Sequence, residues 1–385
     1  MSLAHPSEEQ PLARGVLERA GQLMDASHRH IARWDLDKTY LRTEFDTLRD
    51  LVRTALERPD EKRTNPGAAT LLREMVRAGI SVHILSGSPE QMRRRLEDKL
   101  RLDGITWDSF TLKPNLKNVL KLRFRALRDQ LGYKLPALLQ ARAHFESLHS
   151  TLSPPPDADA SPPSTPKPEP EAGSVPVSRE TLFGDDAEAD AFVYSLYADI
   201  VSGHVSSETL LEICERGRVY PDVIDRVMHD ANLIEHREAV ERILIHLERQ
   251  SPPDDFHVYG TRAVPFYNYL QAAFVVHEDQ RLPADAVLRV GVELVVQHRF
   301  DGDALARSYL ELARRGHLRG TGVDDLSTAF ERYDDRLPGH AELRRMMERL
   351  PQAANTARTS WRGQDQRLPD YLALVAHHNP RRPGR

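Results

Sequence analysis

The decapeptide His30–Thr39, HIARWDLDKT, decides the fold. His30–Trp34 is a short apolar run that stops abruptly at Asp35, and buried parallel strands read this way. Two further runs end in the same manner: Ile80–Leu85 (ISVHIL) at Ser86, and Thr181–Phe183 at Gly184-Asp185. Between the first two, Asn65-Pro66-Gly67 opens a segment with Leu71, Leu72, Met75 and Val76 at helical spacing. Strands alternating with amphipathic helices predict an α/β unit with a parallel sheet.

Composition is compatible with this. The 385 residues carry 53 Lys+Arg against 58 Asp+Glu, 40% are hydrophobic, and there is one cysteine, Cys214. A lone cysteine excludes disulfides and a thiolate zinc cage within the chain, and on an apolar helical face (Leu210, Leu211, Ile213) it reads as packing. No run of about 18 apolar residues is present, and the first residues lack the pattern of a secretory signal, so a cytoplasmic location is expected. A net charge of −5 gives no footprint for nucleic acid. The chain also has no zinc spacing of histidines, no G-x-G-x-x-G and no Walker loop.

Nine of the 26 prolines fall in 151–178, which has too few apolar residues to fold and is expected to be disordered. From about Ser206 onward the pattern reads as helices only, with Ser207 a cap for 208–217 and apolar faces along 285–298 and 303–314. The expected divisions are an N-terminal tail 1–27, an α/β domain 28–203 carrying the 151–178 insertion, an all-α domain 204–350, and a largely flexible tail 351–385.

The candidate chemistry lies at the strand ends. Asp35 and Asp37 leave the first strand at i and i+2, toward the crevice where open α/β sheets bind ligands. Two acids there repel unless a cation sits between them, which points to Mg²⁺; a solvated turn gives the same pentapeptide. Ser86 precedes a helix N-terminus suited to phosphate, whereas Ser88 with Gln91 reads as a capping box and Pro89 as the first helical residue. Gly184-Asp185-Asp186-Ala187-Glu188-Ala189-Asp190 offers further oxygen ligands, although acids also favour a first helical turn for its dipole.

In this order, D-x-D-x-T, a strand-end Ser, a Lys and G-D-x-x-x-x-D resemble the haloacid-dehalogenase (HAD) superfamily of aspartate-nucleophile phosphatases. WDLDKTYL, NPGAATLLREM, HILSGSPEQM, YKLPALLQ and FGDDAEADAFVY are further similar to the phosphatidate phosphatase catalytic domain of the actin-patch-protein type, over about residues 28–200. Lys134 and Asp185 are 51 residues apart, or 23 once the 28-residue segment 151–178 is set aside, so that segment reads as an insertion within the domain. The resemblance implies a HAD-like Rossmannoid sheet with little or no cap. It implies Asp35 as nucleophile, Asp37 as general acid/base, and Lys134, at a helix start signalled by Gly132 and Pro136, as the balancing cation. Lys113, Lys117 and Lys121 are the rival lysines. It also implies Ser86, Gly87 and Thr39 around the phosphate, and Mg²⁺ held by Asp35, the Asp37 backbone carbonyl and Asp185, with Asp186 or Asp190 as alternatives. Departures are Lys38 where an acid is common, Asp186 where a Ser is common, a single helix in 40–64, and no further strand after Tyr194.

Residues 116–131 form a basic amphipathic pattern, suited to peripheral contact with an anionic membrane or, equally, to a flanking helix with a solvated basic side. The expected activity is a Mg²⁺-dependent phosphatase acting on a phosphorylated small molecule or a phospholipid such as phosphatidate. The alternatives are a soluble nucleotide, sugar-phosphate or phosphoprotein phosphatase, and a non-catalytic scaffold whose helical part binds a protein partner.

Overall fold

The computed structural model describes residues 30–41, 64–113, 127–152, 178–363 and 368–378. The insertion, apart from its first and last residues, and most of 116–131 therefore lie outside the described residues, as do Lys117, Lys121 and most of 40–64.

Six parallel strands form one sheet: β1 (Ile31–Asp35), β2 (Ser81–Pro89), β3 (Ser109–Lys113), β4 (Glu180–Asp185), β5 (Val240–His246) and β6 (Ala263–Phe266), in the order β3-β2-β1-β4-β5-β6. The chain builds outward from β1 to β3, then returns to place β4 on the free side of β1. That reversal makes the carboxyl ends of β1 and β4 the switch point, where neighbouring connections diverge and leave a crevice.

Helices are α1 (Ala68–Arg77), α2 (Arg93–Leu102), α3 (Leu127–Leu131), α4 (Lys134–Leu152), α5 (Asp190–Val201), α6 (Ser207–Arg216), α7 (Pro221–Leu233), α8 (Tyr269–Glu278), α9 (Ala284–His298), α10 (Gly302–Arg314), α11 (Val323–Glu331), α12 (His340–Ser360) and α13 (Tyr371–His378). Strand side chains alternate between faces. Trp34, Ile84, Phe183 and Leu244 pack with α1, α2 and α8–α12. Leu85, Leu182, Ile243 and Ile245 pack with α3–α7 and α13. Both faces are thus covered, as an all-parallel sheet requires. Among the described residues no helix is long and apolar enough to cross a membrane.

Four expectations are corrected. The sheet does not end near Tyr194, and 204–350 is not helical throughout, because β5 and β6 continue the sheet. In β5 the charges of Glu241 and Arg242 hide the apolar run. Both are neutralised in place, Arg242 by a two-point pair with Asp279 and Glu241 by one with Arg281. β6 has four residues and includes Pro265, which an edge strand tolerates. The start of the expected flexible tail is also structured. α12 runs through Pro351 to Ser360 because Leu350, Ala353, Ala354 and Ala357 are buried in the core on that face. The N-cap of α6 is Ser206, one residue earlier than expected, and accepts from the Thr209 amide.

At the amino-terminal end of the sheet centre, Glu180 is fully buried between cations. Arg33 reaches it at 2.7 and 3.1 Å, Arg142 at 3.2 Å, and the Tyr197 hydroxyl donates to it at 3.0 Å. Burial alone would raise the Glu180 pKa, but the guanidinium groups and the tyrosine hold it down at about 2. Nearby, His30 bonds to Thr181 at 2.8 Å and His83 to Ser109 at 2.7 Å, and burial lowers both imidazoles to about 4.

Acid should therefore unfold the chain in two stages. Between pH 6.5 and about 4 the unfolded histidines take protons that His30 and His83 refuse when folded, so stability falls. The Glu180 contribution, full above pH 4.5, is lost as the pH drops toward 2. Urea unfolding over a pH series will show both limbs. Glu180→Gln should remove the lower one and cost about 3–5 kcal/mol at neutral pH, because buried Arg33 loses its counter-charge and Arg142 keeps only Glu146.

Candidate active site

Three strand ends and one helix start converge at the switch point. Asp35 terminates β1, pairs in register with Leu85 and is 1% exposed. The chain then turns through Lys38, whose φ of 62° is left-handed, and the amide of Asn65 fixes this turn by donating at 2.8 Å to both the Lys38 and Thr39 carbonyls. Tyr269, at the start of α8, donates its hydroxyl to the same Thr39 carbonyl. Gly67 follows at φ +85°, and a Cβ there would lie 3.1 Å from that of Tyr269, so Asn65-Pro66-Gly67 is the corner on which the turn after Asp35 and α8 meet.

Lys134, the first residue of α4, is fully buried with its ammonium 3.0 Å from Asp35 Oδ1, 3.0 Å from Glu188 and in contact with Asp190. Burial opposes its charge, yet Asp190, Asp35 and Glu188 raise its pKa well above that of a free lysine. Gly184 permits this assembly. A Cβ there would sit 2.5 Å from the Asp190 carboxylate and 2.8 Å from the Tyr194 ring, so only glycine lets the start of α5 approach the tip of β4.

Asp185 is anchored through one oxygen, Oδ1, which accepts the amides of Ala187 at 2.6 Å and Glu188 at 3.0 Å. Its Oδ2 lies 3.4 Å from the Thr39 hydroxyl, which is also 3.3 Å from Asp35. Carboxylate oxygens of Asp35, Asp185 and Asp190 come within 4.8 Å of one another, all buried. Asp35 Oδ1, although near the ammonium, has no aligned hydrogen-bond donor. Burial, reinforced by the neighbouring carboxylates, raises the pKa of Asp35 and Asp185 well above the usual range, with Lys134 opposing; burial also raises Asp190. Three carboxyl groups, those of Asp35, Glu188 and Asp190, contact Lys134, and Asp185 stands beside them without contacting it. A hard divalent ion with oxygen ligands fits this donor set.

Asp37 is held apart from that cluster. Ser86 donates to its Oδ2 at 2.7 Å, and Ser88 reaches both its oxygens at 3.0 Å. Its side chain is therefore not among the three clustered carboxylates. Ser88 is not a helix cap: β2 extends to Pro89, and a 3₁₀ turn over Glu90–Met92 begins there without a side-chain cap. The register slip between Ser86 and Pro89 turns both hydroxyls inward. Gly87 lies in this slip with open space where a Cβ would be. Asp186 faces elsewhere, accepting the Arg249 and Ser251 amides at 2.8 and 3.0 Å, whereas Asp185 clusters with Asp35 and Asp190. Lys113 lies over the Tyr133 ring, 5.2 Å from its centre, and Lys134 is the lysine that touches Asp35.

Comparison with protein-family models, with curated proteins and with solved structures returns no match.

Replacing Lys134 by methionine should destabilise the fold by about 3–5 kcal/mol, since Asp35, Glu188 and Asp190 would keep buried charge with no partner. Denaturant unfolding at neutral pH without added metal provides the measurement.

Proposed function

We propose that this chain is a Mg²⁺-dependent phosphomonoester hydrolase of the HAD type that works through a phosphorylated Asp35. The observation that supports it most is the division of labour at the switch point. Asp35 lies against a buried ammonium and two further carboxylates, while Asp37, two residues on, is held by a pair of serine hydroxyls. One carboxylate is placed for bonding to an electrophile, the other for moving a proton.

In the first half-reaction an Asp35 oxygen bonds to phosphorus as the ester oxygen departs, and Asp37 gives that oxygen its proton. In the second, water attacks the aspartyl-phosphate, Asp37 takes the water's proton, and the Asp35 carboxylate is released with inorganic phosphate. Lys134 balances charge on the equatorial oxygens, held in place by Asp190 and Glu188. Ser86, now bonded to Asp37, and the open space over Gly87 receive the phosphate. Asp35, Asp185 and the backbone at Asp37 would hold Mg²⁺, which supplies the charge neutralisation that lets a carboxylate approach an anionic phosphate. The catalytic apparatus needs only a phosphate monoester. A phosphatidate substrate rests on the motif resemblance and on the basic pattern of 116–131, most of which lies outside the described residues.

Phosphate release from an aryl phosphate, assayed with Mg²⁺ and with EDTA, tests this. Turnover should require the metal, vanish in Asp35→Asn and fall about 10²–10⁴-fold in Asp37→Asn. Metal-dependent turnover that survives in Asp35→Asn sinks the proposal. Independently of activity, Mg²⁺ at a hundredfold excess over its dissociation constant should add about 2.7 kcal/mol to stability. That gain should disappear in Asp185→Asn and persist in Asp186→Asn.

A further inference from the structure

We infer that a cleft beside Asp185 receives the alcohol portion of the substrate and selects one joining an apolar or aromatic body to a positive charge; this rests on the phosphatase activity proposed above. The cavity has a volume of about 680 Å³, far more than a phosphate needs and within the range of small-molecule sites. It adjoins the proposed reaction centre through two lining residues: Asp185, which clusters with Asp35 and Asp190, and Glu188, which contacts Lys134.

The walls have two characters. Phe192 of α5, Phe256 and Val258 of the 3₁₀ segment Pro253–Tyr259, and Leu374 of α13 supply apolar surface, and Val258 is 50% exposed. The lining carries five acidic residues, Asp185, Asp186, Glu188, Asp254 and Asp255, of which Asp254 and Asp255 are exposed. Among the described residues no lysine or arginine lines it, and His377 is its only basic side chain. The contrast with a cavity of about 350 Å³ at the other end of the sheet is informative. There Arg262, Arg281 and Arg319 stand beside Asp199, Glu241 and Asp279 and neutralise them. In the cleft Asp186 is occupied by backbone amides, and Asp254 has only His257 at 3.8 Å. A second phosphate or a carboxylate on the alcohol would enter this field with no counter-charge. An ammonium would meet Asp254 and Asp255, and its carbon skeleton would cover Phe256 and Val258.

The test uses three aryl phosphates of similar size: phenyl phosphate, O-phosphotyramine (cationic) and 4-carboxyphenyl phosphate (anionic), with the full chain in Mg²⁺. O-Phosphotyramine should exceed phenyl phosphate in kcat/KM by about tenfold, and the carboxylate should fall below it by a similar factor, both differences shrinking in high salt. The double substitution Asp254→Asn with Asp255→Asn, at two exposed positions, should compress the spread at least threefold. Equal kcat/KM across the series, or a preference for the anion, overturns the inference. If none of the three is hydrolysed, the failure belongs to the phosphatase reading, and tyramine itself decides the cleft by titration calorimetry. Saturable binding that weakens at least threefold in the double variant sustains the charge selection; absence of binding to the unsubstituted chain overturns it.

Discussion

The Lys134 ammonium is the constraint on which the carboxyl end of the sheet depends. It is fully buried, 3.0 Å from Asp35 and from Glu188 and in contact with Asp190. Removing an ammonium from water costs several kcal/mol, and only close counter-charge offsets it. Those counter-charges come from β1, the β4–α5 loop and α5, so the ion pair can form only when the reversal of strand order has set β4 against β1. Gly184, by admitting Asp190 to the strand tip, and Asn65, by fixing the turn after Asp35, serve this geometry without touching the ammonium.

The C-terminal half is joined to this centre. Tyr269 starts a helix that follows the edge strand β6, yet its hydroxyl ends on the carbonyl of Thr39, inside the turn that carries Asp35 and Asp37. Glu293 of α9 accepts the Gly67 amide at 3.0 Å on the same corner. Loosening of α8 or α9 would therefore reach the proposed nucleophile through a hydrogen bond and a close backbone approach.

What the sequence made legible follows from range. Asp35, Ser86, Lys134 and Asp185 could be placed because each sits where an apolar run stops or a helix starts, a signal contained in a few neighbouring residues. The functions of Ser88 and Asp186 could not. A serine followed by proline and, three residues on, by glutamine has a complete local explanation as a cap, and only the register slip in β2 turns it toward Asp37 instead. Adjacent aspartates at a strand tip are equivalent on paper. They diverge because β5 lies beside β4 and its following loop takes both oxygens of Asp186. That strand was itself invisible, since Glu241 and Arg242 make sense within it only once Arg281 and Asp279 stand opposite. Tyr269 carries no local signal of any kind.

The two ends of the central strands bury charge in opposite ways, and the difference separates architecture from chemistry. At the amino end Glu180 lies between Arg33 and Arg142 with Tyr197 donating to it, and its carboxyl is pulled down to about 2: the charges satisfy one another and the group is at rest. At the carboxyl end, on the same two strands, Asp35 and Asp185 are pushed the other way by burial, to which neighbouring acids add and which the Lys134 ammonium opposes. A fold needing only stability would gain from a second cation or from fewer carboxylates there, as buried like charges cost more than apolar replacements of equal size. Such a conflict between local chemistry and stability is characteristic of functional positions. A divalent cation among oxygens that the fold holds within reach of one another would relieve it.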